Sequence, residues 1–339
     1  MKNILKFIFS KVHRYLAPGP KTVVRCYIAL ISSISRQLPV HWATHIQSSV
    51  SAYSLSWSQK EFPPRTVQVG SATRIRLTPH LGEFDEWALF GKELAYEREV
   101  FEWLEQNAPA SYDTIIEIGA NVGVYTCFID ELIKRTPAAR LKEVVAFEPS
   151  QEAYRRLVNN LASNEAVAVR PFNAAVGKAS GFISFFEPQG HLTNGSILKE
   201  FSQMFSADVV ERPALSVASS DLTYFLEGRR HPLIKMDVEG YEGALLAGME
   251  EIISAHSPDF LIEVLGDVPA EIEAIEALRP YRRILVTPDG LQVHPRLFAS
   301  PTSRDWLLIH PDSLTPFGLS SFGTGVAPTL AADAAHARG

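Results

Sequence analysis

Between residues 114 and 264 short apolar runs alternate with stretches in which apolar residues recur every three or four positions. Residues 114–118 (Thr-Ile-Ile-Glu-Ile) are β-branched and apolar with no polar alternation, the pattern of a parallel strand buried on both faces. The small-residue turn Gly119-Ala120-Asn121-Val122-Gly123 follows, and then Tyr125, Phe128, Ile129, Leu132 and Ile133 share one helical face. The rhythm repeats: a strand over 143–147, a helix carrying Tyr154, Leu157, Val158 and Leu161, and a third strand over 167–172. A fourth strand over 233–236 precedes one helix carrying Leu245, Leu246, Met249, Ile252 and Ile253. Residues 259–264 read as a fifth strand, with 283–286 and 305–310 as later ones. Upstream, residues 67–77 alternate like a hairpin, and 96–104 read as a helix ended by Pro109. The prediction is an α/β fold: a mostly parallel sheet covered by helices on both faces, in three layers.

Composition narrows the class. With 46% apolar and 21% charged residues in 339, the chain is an ordinary globular protein with one large domain. A net charge of −6 leaves no footprint for nucleic acid. Cys26 and Cys127 are the only cysteines, too few for a disulfide framework or a CxxC zinc site, so a reducing, cytoplasmic setting is expected.

The charge is unevenly placed. Residues 1–60 hold eight Lys/Arg and no Asp/Glu, which leaves the remainder at −14. Residues 1–16 have an amphipathic helical pattern, and 23–34 are a second apolar stretch interrupted by Arg25 and too short to span a bilayer. This stretch fits a helix docked on the main domain, a disordered lead, a transit segment, or peripheral contact with anionic lipid at a membrane face. Three regions are therefore expected: a basic helical extension over 1–65, the main domain over 66–310, and a flexible tail over 311–339. Within the main domain, an insertion over 177–220 carries His191-Leu192-Thr193-Asn194-Gly195-Ser196 and reads equally as a lid, a substrate wall or a surface loop.

The chemistry falls at strand ends. Glu117-x-Gly119-x-x-x-Gly123, Glu148, and Asp237 with Glu239 end the first, second and fourth strands, at the sheet edge where open α/β folds bind ligands. Glycine lets a ligand approach the backbone closely, and an acid after the second strand can accept both hydroxyls of a ribose. A dinucleotide turn needs Gly-x-Gly-x-x-Gly, but Asn121 occupies the second glycine position and Glu117 would face a pyrophosphate with negative charge. The pattern favours an adenosyl cofactor bearing an amino acid, with cationic groups that suit an acid.

Taken together, Glu117-Ile-Gly-Ala-Asn-Val-Gly123, Phe147-Glu148-Pro149 with Asn159 and Asn160, and Lys235-Met-Asp-Val-Glu-Gly-Tyr-Glu242 closely resemble the motifs of the FkbM family of S-adenosylmethionine (SAM)-dependent methyltransferases. Leu246-x-Gly248, Leu261-Ile-Glu-Val264 and Tyr96-Glu-x-Glu-Val100 are similar to its flanking blocks. The family usually carries aspartate where Glu117 stands, a change that keeps the charge. The resemblance spans about residues 90–265. It implies a Rossmann-like class I methyltransferase sheet and methyl transfer from SAM to a hydroxyl of a sugar, glycan or secondary metabolite. Carried over by position, Glu117, Gly119, Asn121 and Gly123 line the methionine portion, Glu148 holds the ribose, and Asn173 and Ala174 lie near the adenine.

Such a reaction needs the acceptor oxygen held in line and its proton removed. Asp237 is the first candidate base, Glu239 the second and His191 an outsider; Glu242 reads as a cap on the following helix. Asp237, Glu239 and Glu263 are all oxygen donors of the kind Mg²⁺ takes, but their spacing fixes no geometry and no metal is expected. The competing reading is a Rossmann-like SAM-binding or scaffold protein without turnover.

Overall fold

The computed structural model describes residues 21–39, 43–44, 46–47, 61–81, 83–94, 96–189 and 194–315. Its strands are β1 (Arg65–Val69), β2 (Thr73–Leu77), β3 (Thr114–Ile118), β4 (Glu143–Phe147), β5 (Val169–Phe172), β6 (Ala175–Gly177), β7 (Gly181–Pro188), β8 (Val209–Ala218), β9 (Pro232–Met236), β10 (Asp259–Glu263), β11 (Arg282–Thr287), β12 (Gly290–His294) and β13 (Asp305–Ile309). Its helices are α1 (Lys21–Ser35), α2 (Trp87–Phe90), α3 (Arg98–Ser111), α4 (Val124–Arg135), α5 (Gln151–Ser163), α6 (Lys199–Gln203), α7 (Thr223–Leu226), α8 (Glu242–Ala247), α9 (Glu250–His256) and α10 (Val268–Glu273).

The main sheet has eight strands in the order β12-β11-β13-β10-β9-β3-β4-β5. The pairs from β10 to β5 are parallel, and β13 runs antiparallel to both neighbours. Every residue of β3 and β9 is buried, the charged Glu117 and Lys235 among them, as strands covered on both faces require. Successive side chains enter opposite layers: Ile115 joins the core under α3 and α4, and Ile116 the core under α8 and α9. The fold is the three-layer, Rossmann-like, mostly parallel α/β sheet that the sequence predicts.

The hairpin β1–β2 is clasped by α5. Asn160, fully buried, accepts from the Thr78 N–H (2.9 Å) and donates to the Val122 carbonyl (2.8 Å), while Asn164 pairs with both backbone groups of Arg76. Asn160→Ala would orphan a donor and an acceptor at once, and is expected to lower stability by about 2–4 kcal/mol. Urea unfolding of the variant measures this.

Elsewhere the boundaries shift for identifiable reasons. The predicted single helix after β9 is two, α8 and α9, because Gly248 packs against Ser219, whose Oγ donates to the Gly248 carbonyl (2.9 Å). The third strand starts at Val169, since the N–H groups of Val167 and Ala168 are taken by the Asp130 carboxylate. Helix α3 begins after Glu97, which is left-handed (φ 46°), and carries Pro109 within its last turn. The insertion forms its own sheet, β6-β8-β7, and the helix α6.

The second apolar stretch of the N-terminal extension is helix α1, docked through Ile28 and Ile31. Its end is fixed by Ser35 Oγ to the Phe90 carbonyl (2.8 Å) and by the Arg36 guanidinium on the carbonyls of Ala88, Gly91 and Thr66. Residues 1–16 lie outside the described residues. Of the stretch read as a tail, 311–315 are not loose: Ser313 and Thr315 hydrogen-bond Asp259, and Thr315 also meets the Tyr112 hydroxyl. The rest of that stretch lies outside the described residues. Among the described residues no helix is long and apolar enough to cross a membrane.

Candidate active site

Strand register assembles the site. Ile118 pairs with Phe147 on one side and Met236 on the other, and Met236 pairs with Ile262. The next residue of each strand, Gly119, Glu148, Asp237 and Glu263, therefore emerges in one row at the carboxyl edge. At Gly119 (φ +87°) a Cβ would fall 1.9 Å from the Asp237 carbonyl oxygen, so the close approach of the two strand ends permits only glycine. Asn121 is left-handed (φ 52°), and its N–H donates to Glu148 Oε2 (2.7 Å) while the Ser150 N–H donates to Oε1 (2.7 Å). The Glu148 carboxylate thus straps the glycine turn to the end of β4.

Two cavities meet over this row. A narrow one of about 70 Å³ lies against Glu148, Pro149, Ala175, Val176 and Ser196. A larger one of about 270 Å³ lies against Glu117, Lys235, Tyr96, Phe201, Glu263 and Arg304. Gly119, Asn121, Asp237 and Glu239 line both, so they form the waist of one cleft. The insertion supplies its outer wall through Ser196, Phe201 and Phe205.

The larger cavity has a charged floor. Glu117 and Lys235 are in-register neighbours on β3 and β9, and Glu117 accepts from Thr126 Oγ1 (2.7 Å). The buried Lys235 Nζ lies 3.5 Å from Asp237 Oδ2 and 4.2 Å from the Tyr125 ring centroid, a cation–π contact. The Tyr125 hydroxyl donates to Glu97 (2.5 Å), and Arg304 faces Glu263 at 3.5 Å.

Residues 117–282 match the family model described as "Methyltransferase FkbM domain". This domain belongs to the FkbM methyltransferase family. Over 166 residues the chain is 27% identical to the hexuronic acid methyltransferase AglP of Haloferax volcanii, which covers 48% of this chain and 61% of the relative, so it spans less than two thirds of that protein. It is 24% identical over 216 residues to methyltransferase sdnD of Sordaria araneosa, covering 56% of this chain and 80% of the relative. A crystal structure of methyltransferase FkbM from Methylobacillus flagellatus KT superposes with a TM-score of 0.36 at 18% identity, covering 59% of this chain and 44% of that one.

Within the FkbM domain the predicted residues sort into three groups. Glu117, Gly119, Asn121, Glu148, Asp237 and Glu239 line the cleft. Gly123, Asn173 and Ala174 do not. Gly123 (φ +83°) packs against Leu157, whose Cδ1 lies 2.2 Å from where a Cβ would be. Asn173 is exposed and donates to the Glu148 carbonyl (2.8 Å), while Ala174 is in the core, and the cleft is met instead by Ala175 and Val176. His191 lies outside the described residues. Glu242 takes the Val238 and Gly240 N–H groups of the loop leading into α8, and Glu239 (φ 56°) faces the cleft. Asp237, Glu239 and Glu263 share the larger cavity, but among the described residues no group of three His, Cys, Asp or Glu is placed to hold a metal ion. Lys235, Tyr125, Glu97 and Arg304 went unassigned at the sequence level. For Lys235 a signal existed: it stands two residues before Asp237 on a strand, hence on the same side.

Burial in the FkbM cleft shifts its acids upward. Burial pushes Glu117 and Glu148 up to about 7, in each case against opposing contacts: Lys235 for Glu117 and backbone N–H groups for Glu148. Glu263 is pushed up to about 8 and Glu239 to about 9, by burial and then by the charge of Asp237. The folded state therefore holds protons that the unfolded chain releases near pH 4.5, and ionising these acids destabilises it. The ligand-free protein is expected to lose thermal stability steadily from pH 5 to 9, as calorimetric scans across that range measure.

Proposed function

We propose that this protein is a SAM-dependent O-methyltransferase acting on a hydroxyl of a sugar, glycan or secondary metabolite. The observation that carries the reading is the row Gly119, Glu148, Asp237 and Glu263, which lies along one continuous cleft. The residues fit the cofactor: Asn121 Oδ1 is buried at the waist without a hydrogen-bond partner, and Gly119 leaves room for close approach. Glu148 would hold the ribose with the lone pairs that the two backbone N–H groups leave over, and Glu117 would face the amino-acid end. When bound, SAM supplies a methyl group already activated by its sulfonium.

The protein's own work is then positioning and proton removal. Asp237, a third exposed and beside Lys235, accepts the acceptor's hydroxyl proton. Glu239 keeps its proton at neutral pH and suits a hydrogen-bond donor to the acceptor rather than a base. Tyr96, Phe201 and Phe205 give the apolar wall on which a sugar or polycyclic face can rest. The name of AglP supports a sugar-type acceptor.

Glu148→Ala is expected to weaken SAM and S-adenosylhomocysteine binding by about 1–3 kcal/mol, through lost ribose hydrogen bonds and release of the Asn121 turn. Calorimetric titration of both proteins tests this, and unchanged affinity would refute the ribose assignment.

A further inference from the structure

From Cys26 to the final turn of α1, the exposed side chains carry no charge. Leu30, Ile34 and Leu38 recur at four-residue spacing and are 62%, 53% and 40% exposed, with Ala29, Ser33 and Gln37 exposed between them. A strip of three large apolar side chains with only small or neutral neighbours is unusual on a soluble surface. The helix is not loosely held, since Ile28, Ile31 and Ser35 are buried behind it. The one charge in its last turns, Arg36, is directed inward onto three backbone carbonyls. In sequence the strip belongs to residues 1–60, which contain eight Lys/Arg and no acid.

We propose that this face of α1 rests on an anionic lipid surface. A bilayer offers an anionic headgroup layer above an apolar one, which complements an apolar strip carried by an acid-free, basic segment. A second copy of this chain is the poorer occupant, because pairing through α1 would bring two acid-free basic segments together. The docked helix would hold the main domain at the membrane without crossing it, in keeping with its 15 residues.

Flotation of the full-length protein with phosphatidylcholine vesicles, with and without about 30% phosphatidylglycerol, tests this. Binding is expected on the anionic vesicles, with at least a tenfold loss on neutral ones, in about 0.5 M salt, or in Leu30→Glu/Ile34→Glu. Both positions are exposed, so the variant should keep the wild-type melting temperature; if it does not, Leu30→Ser/Ile34→Ser serves instead. Flotation that the substitutions leave unchanged, equal flotation on both vesicle types, or no flotation would overturn the proposal. So would a dimer, seen by sedimentation, that the same substitutions abolish.

Discussion

Asp237→Asn leaves the protein folded and able to bind S-adenosylhomocysteine, and lowers methyl transfer about 10²–10⁴-fold. This is the expected result if Asp237 removes the acceptor proton. The substitution preserves shape, and the Asp237 N–H, which holds β9 to the Ile118 carbonyl at 3.0 Å, is untouched. What is lost is the carboxylate beside Lys235 and the basicity that goes with it. Glu239→Gln should cost less than Asp237→Asn, because Glu239 is already protonated near neutrality and glutamine can still donate. Transfer of labelled methyl from saturating SAM into the acceptor separates the two. A larger loss in the Glu239 variant would reverse the assignment.

Gly119→Ala is expected to abolish cofactor binding and to destabilise the fold by about 3–5 kcal/mol. Two effects combine. The positive φ disfavours any L side chain, and the new Cβ would meet backbone, the Asp237 carbonyl, with no flexible atom to yield. Relief requires β3 and β9 to part at the row on which the site is built. Gly123→Ala provides the contrast, since its Cβ would meet the movable end of Leu157, and it should be milder by urea unfolding and should retain cofactor binding. Equal effects at both positions would show that φ alone decides, and that the packing of the strand ends does not.

The parallel sheet was legible because its inner strands are buried on both faces and read as apolar runs, while the helices between them keep a helical period. The strand-end acids were legible because a residue following such a run must sit at the sheet edge. Helix breaks were not, since Gly248 ends α8 through a contact with Ser219, 29 residues away in sequence. The packing of Gly123 was not legible for a related reason: a glycine beside a ligand and a glycine against Leu157 look identical in one dimension. That Ala174 lies in the core while Ala175 and Val176 line the cleft was not legible either, because the chain there has left β5 and follows no period readable from the sequence. Glu97 and Tyr125 were unreadable as site residues, because only the fold brings α3 and α4 together with β9.

The most direct measurement is calorimetric titration of the full-length protein with SAM and S-adenosylhomocysteine. The cleft described here predicts one binding site for each, weakened in Glu148→Ala, absent in Gly119→Ala and kept in Asp237→Asn. No binding of either ligand to the wild-type protein would contradict it.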